Sequence, residues 1–238
     1  MDIEEFTRKY FLERASTFFL EQAFSHIHSA IHIEISGITF VTNVKFSAAQ
    51  AGIENIPESN SFHEVSVWFT EIIGKNPEFA KNIDAYRGPN SISVFKRRLR
   101  KNHVIETVEL IGHIINLSAF AEVVINKHLY DLLQSGVIED YHYNGLDRTE
   151  VLPKILFAFK EDVLSKRLQV SRLRHLFRLR NEAVHYKASS TKAVRVTVEE
   201  LIGIWREVGQ LLTIAADTDM QQEFESKSKD IIDRLFTK

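Results

Sequence analysis

Cysteine is absent from all 238 residues. That excludes disulfides, thiol nucleophiles and cysteine-based zinc or iron–sulfur sites, and it suits a reducing, cytoplasmic setting. Glycine is sparse, with 9 residues scattered along the chain. No GxGxxG or GK[ST] stretch occurs, so neither kind of phosphate-cradling loop is expected. No uninterrupted apolar run reaches about 18 residues, the length a membrane-crossing helix needs. The N-terminal MDIEEFTRKYF is acidic and lacks a signal-peptide pattern, so no membrane partner is expected. Net charge is nearly absent too, at −2, but it is unevenly spread. Lys96, Arg97, Arg98, Arg100 and Lys101 form one basic cluster of +5. Lys166, Arg167, Arg172, Arg174, Arg178, Arg180 and Lys187 form another, opposed by Glu182, of +6. The rest of the chain must then carry −13. Local basic surface on an otherwise acidic protein suits a polyanion partner, and equally describes two solvated helix faces.

What is present is core material: 44% hydrophobic residues, 17 of the residues being phenylalanine. A chain of this length buries a sizeable core without staples and fits one large domain, or one domain with an N-terminal extension. The periodicity is mainly α. Phe6, Tyr10, Ala15, Phe18, Phe19, Ala23 and Ile27 recur at helical spacing over 3–31 and read as core. HIEISGITFVTNVKF, next, is rich in β-branched residues and reads as a strand or small hairpin. Residues 47–61 read as a loop, 62–73 and 77–86 as helices, and Gly88-Pro89-Asn90 as a break. Residues 92–101 read as a basic helix or the start of a longer one, and 103–134 as a long buried helix. Residues 136–149 read as a polar loop with an Asn-Gly turn. Pro153 fits the first turn of a helix reaching Ser165. A helix over 168–186, a connector and a helix from Thr197 to about 216 follow, with Glu200 as capping-box partner of Thr197. The organisation expected is an N-terminal helical region over 1–90, a helical bundle over 91–216, and a polar tail over 217–238.

The stretch RLRNEAVHYK, Arg178 to Lys187, concentrates the candidate chemistry. At about 100° per residue, Arg167, Ser171, Arg174, Arg178, Asn181 and His185 fall in one stripe. Leu173, Phe177 and Val184 form a neighbouring apolar one. Arg180 projects onto the edge of the apolar side, where a guanidinium needs a partner or a wet cleft. Glu122, inside the apolar SAFAEVVIN, needs a cation for the same reason. On one reading this is a structural ion pair and His185 is a surface residue. On the other it is a phosphate-ester site: a guanidinium offsets charge on a transferring phosphoryl group, and an imidazole moves a proton near neutral pH.

RNEAVH, Arg180 to His185, resembles the Arg-x(4–6)-His motif of the HEPN ribonucleases, in the form where Asn follows Arg. The preceding AEVVIN helix, with Glu122 and Asn126, is similar to that family too, over roughly residues 100–216. The resemblance implies a helical bundle that dimerises around a composite cleft and cuts RNA without metal or other cofactor. The ribose 2′-OH attacks the adjacent phosphate, leaving 2′,3′-cyclic phosphate and 5′-OH ends. It implies His185 as general acid/base, Arg180 as the phosphate-stabilising group, Asn181 as a positioning residue and Glu122 as the group orienting the motif. Arg174, Arg178 and Lys187 would hold RNA. Such proteins are often toxins or phage-defence effectors, paired with an antitoxin or regulatory protein. Where some members carry a tyrosine two residues after the histidine, this chain has Lys187, with Tyr186 adjacent to the histidine instead. Arg178 also fits the broad spacing and competes with Arg180 for its role. The rival reading is a non-catalytic helical module that binds RNA or protein. His26, His28 and His32 lie close together, and His28 and His32 fit one helix face as zinc ligands do. Neither an HExxH motif nor clustered carboxylates accompany them, so no metal is expected. His142, between two tyrosines, reads as a stacking surface in a loop.

Overall fold

The computed structural model describes residues 3–79, 98–185 and 194–236, with side chains of residues 3–6, 8 and 9 excepted. Gly88-Pro89-Asn90, Lys96, Arg97, Tyr186, Lys187 and most of the helix expected over 77–86 lie outside these residues. The protein is mainly α. Its described helices are α1 (Ile3–Gln50), α2 (Phe62–Lys75), α3 (Val108–Gln134), α4 (Asp140–Asp147), α5 (Val151–Ala158), α6 (Lys160–Leu164), α7 (Val170–Val184), α8 (Val198–Ile214) and α9 (Thr218–Leu235). Two short strands, β1 (Val104–Ile105) and β2 (Val196–Thr197), pair antiparallel, with Val104 opposite Thr197 and Ile105 opposite Val196.

The strand or hairpin expected over 32–46 does not exist. That segment continues α1, whose 48 residues run unbroken to Gln50. Three of its β-branched residues, Ile35, Val41 and Val44, are placed by packing: with Ile31 and Ala48 they are buried at helical intervals. Tertiary burial overrides a strand preference of this size. The loop expected at 47–61 accordingly begins only after Gln50. At the other end of α1, Tyr10 and Phe18 are exposed rather than core. Three further expectations fail. Of the helix expected over 92–101, residues 92–97 lie outside the described residues and 98–101 are not helical, Leu99 bridging Phe236 instead, while the long helix expected from 103 starts only at Val108, after β1. The polar loop at 136–149 contains α4, with Asn144 and Gly145 inside it. The helix expected to reach Ser165 breaks at Phe159 into α5 and α6.

α3 is the central element. Among the described residues it is the one helix long and apolar enough to cross a membrane by length and composition. Here Leu110, Ile114, Leu117, Phe120, Ala121, Val124 and Ile125 are buried in the main core. Gly136, at φ +71°, ends it: its N–H bonds to Leu133 and that of Val137 to Leu132, the paired closure a left-handed glycine allows. α1 runs antiparallel to α3, since Ala23 meets His113, His26 meets Glu109 and Glu34 meets His103. The approach is close enough that a Cβ on Gly112 would fall 2.6 Å from the His26 ring. Where α1, α3 and α8 meet, fully buried His113 donates from Nδ1 to the Ala23 carbonyl (2.8 Å) and accepts the Trp205 indole N–H at Nε2 (3.1 Å). Burial pushes its pKa down to about 4. α8 starts with the expected capping box at Thr197 and Glu200. The C-terminal tail is not merely polar, because α9 buries Phe224, Ile231 and Leu235 in the same core. A second, smaller cluster joins the far end of α1 to α2 through Val41, Val44, Ala48, Val65 and Phe69.

Candidate functional site

The helix carrying the motif is α7, and its N-terminus is pinned from α8. Buried Glu207 accepts the Gln169 N–H (2.9 Å) and lies 3.5 Å from Nη1 of Arg172. A carboxylate at a helix N-terminus is favoured by the unpaired N–H groups and the helix dipole. Gly203 leaves room for the Arg172 guanidinium, which would lie 3.3 Å from a Cβ there. α7 then buries Leu173, Leu176, Phe177, Leu179 and Ala183. Val184, expected on the apolar stripe, is exposed. Arg167 precedes the helix and pairs with Asp162 instead of extending the basic stripe.

Arg180 reaches across to α3. Its Nη1 donates to Oε2 of Glu122 at 3.1 Å, while Nε and Nη2 both lie 3.3 Å from Oδ1 of Asn181. The guanidinium sits 5.5 Å from the centre of the Phe177 ring, within cation–π range. The two charged side chains are 31% and 32% exposed. The pair therefore stands at a wet rim, not in the buried setting that the apolar context of Glu122 suggests. Glu122 thus holds an Arg180 side chain that stays partly exposed to solvent.

His185 is not inside the helix as expected, but caps it. Its backbone N–H bonds to the carbonyl of Asn181 at 3.0 Å, closing the last turn, and the residue is exposed. Asn181 is thus tied to Arg180 by its side chain and to His185 by its backbone. Arg178 makes other contacts and stays exposed. Its Nη2 donates to Nδ1 of His175 at 2.8 Å, and its Nε lies 3.8 Å from Glu182. Burial, and then the Arg178 charge, hold His175 below the ordinary histidine range. Of the two motif arginines, then, Arg180 is the one bonded to Glu122. Arg174 is exposed on the same helix, and Lys187 lies outside the described residues.

No family model, curated protein or solved structure matches this chain.

The site therefore stands on its geometry, which includes two residues the motif does not name. Lys154 on α5, 3% exposed, donates to Oδ1 of Asn126 at 3.0 Å. Asn126 lies one turn beyond Glu122 on α3, so that helix carries two acceptors in succession, each holding a cation from a neighbouring helix. Buried Glu207 is the other. Both could have been flagged by the reasoning that singled out Glu122, namely a charge set within an apolar helix: VLPKILFAF for Lys154 and WREVGQLL for Glu207.

Proposed function

We propose that this protein is a metal-independent endoribonuclease of the HEPN type, acting as a toxin or defence effector. The observation that supports it best is the carboxylate-held guanidinium of Arg180, bonded to Glu122 and to the Asn181 side chain, on the last turn of a helix capped by the exposed His185. In the reaction the ribose 2′-oxygen attacks the adjacent phosphorus as its proton passes to a base. The P–O5′ bond breaks, the 5′-oxygen takes a proton, and a 2′,3′-cyclic phosphate remains. His185 handles the proton, and Arg180 offsets charge on the phosphorane. Arg174, Arg178 and Lys187 hold the backbone of the RNA. Because one chain offers one His185, a homodimer pairing two motif helices supplies both an acid and a base.

The rival reading, a non-catalytic module that binds RNA or protein, also has an observation behind it. Arg180 already contacts Glu122, Asn181 and Phe177 of its own chain, as a structural arginine does. Incubation of the purified protein with RNA in excess EDTA, followed by end-group analysis, separates the two. Cyclic phosphate ends that vanish with His185→Ala support the enzyme. RNA binding with no cleavage supports the module, and 5′-phosphate products that require Mg²⁺ overturn the mechanism.

A further inference from the structure

Glu122 and Asn126 lie one turn apart on α3. Side chains at that spacing share a helix face, with Cβ atoms about 5–6 Å apart. Glu122 holds Arg180. Asn126 instead meets Lys154 of α5, a buried side chain that donates to Oδ1 at 3.0 Å. That arrangement is costly for the lysine. An ammonium taken out of water ordinarily sits against a carboxylate. Here its partner among the described residues is one neutral amide.

The pairing has a geometric consequence. An ammonium donates and cannot accept, so it faces the amide oxygen. The NH2 group of Asn126 is thereby turned to the other side. No described residue accepts a hydrogen bond from this Nδ2. Nor is the atom sealed from water: among the described residues, the buried side-chain polar atoms without a partner are Thr107 Oγ1 and His175 Nε2. Two N–H donors thus stand open on the face of α3 that holds the partly exposed Arg180. Arg180 and Lys154 together outweigh Glu122 by one positive charge, which suits an anion over a neutral ligand.

We infer that Asn126 is a phosphate-binding residue of the RNA site, and that Lys154 is the positioning residue that turns its amide outward. The inference rests on the ribonuclease reading and adds a second grip on the same substrate. Arg180 faces the phosphate that reacts, and the Asn126 amide donates to a backbone phosphate oxygen beside it. Asparagine side chains make such contacts, which fix the register of the strand rather than its sequence. A lysine buried only to support the fold would leave the orientation of this amide without consequence.

The test measures binding of a short fluorescent 2′-O-methyl oligonucleotide of mixed sequence, which lacks the 2′-OH needed for cleavage, alongside urea unfolding. Lys154→Met replaces a buried charge with an apolar chain of similar volume, so stability should hold or rise. Affinity should nevertheless fall at least about twofold, because an unheld amide spends about half its time reversed. Lys154→Met combined with Asn126→Leu removes both partners together, which spares the fold. This double variant should lose about tenfold or more in affinity, the effect of deleting a hydrogen bond to a charged group. Full affinity in both folded variants, while Arg180→Ala weakens binding, overturns the inference and leaves the proposed function standing. An equal loss in Lys75→Met, on α2, reduces the effect to nonspecific charge and overturns it as well. No binding by the wild-type chain, or binding indifferent to Arg180→Ala, overturns the proposed function and this inference with it.

Discussion

Lowering the pH should unload a specific part of this protein's stability through His113. In the folded chain its two ring nitrogens are occupied, one donating to Ala23 and the other accepting from Trp205. A second proton would have to displace the indole N–H at a site with no exposure to water. Its pKa is accordingly down at about 4, against an ordinary 6.5. Below pH 6.5 the unfolded chain takes up a proton that the folded chain refuses, so stability falls as pH drops from 6.5 towards 4. For one such group the loss is about 2 kcal/mol between pH 7 and pH 5, and about 3 kcal/mol by pH 4. Urea unfolding of wild type and of His113→Gln at pH 7 and pH 5 isolates it, because His32, His128 and His175, also depressed, titrate in both proteins. The variant should be less stable at pH 7, and its deficit should shrink by about 2 kcal/mol at pH 5. A deficit that stays constant across that window would refute the assignment of a neutral, doubly bonded His113.

Three further outcomes follow from other parts of the molecule. Glu122→Gln should cost only about 1 kcal/mol in urea unfolding, since the pair it breaks is partly exposed and screened, and under the proposed function it should also lower RNA cleavage; a loss of several kcal/mol would mean the pair is buried after all. Phe224→Ala should cost about 3–5 kcal/mol, because the ring is 1% exposed between Phe24 and Phe120; a negligible change in unfolding midpoint would mean that α9 is not part of the core. Ala216 follows α8 at φ +54° with its N–H bonded to Thr213, so Ala216→Gly should raise the thermal midpoint, by a stability gain of about 1 kcal/mol.

Much of this fold was legible where local chemistry decides. The Thr197–Glu200 capping box is written within four residues, and α8 starts there. The contact between Arg180 and Glu122 was legible because each is a charge on an apolar helix, and each meets the other's need. The exposure of that pair was not, because it depends on what stands beside the two helices. The segment around Ile33–Phe46 misled because β-branched residues advertise a strand, while the partners that bury Ile35, Val41 and Val44 on a helix are distant in sequence. Tyr10 and Phe18 misled in the opposite way: their spacing is helical, but the helix turns them outward. Periodicity locates a helix and its stripe; which stripe meets the core is settled by the other helices.

The closure of the molecule at Phe236 bears on the order in which it assembles. The Leu99 N–H bonds to the Leu235 carbonyl at 2.8 Å, and the Phe236 ring stacks on Trp205, 6.1 Å between centroids. Lys227 reaches back to Glu21 across almost the whole sequence. During synthesis α1, α3 and α8 emerge before α9, and the apolar faces destined for Phe224, Ile231 and Phe236 stay wet until it follows. Long-range contacts of this kind slow folding and lengthen the time in which a nascent chain is open to aggregation. α9 thus acts as a late-arriving seal over helices made before it.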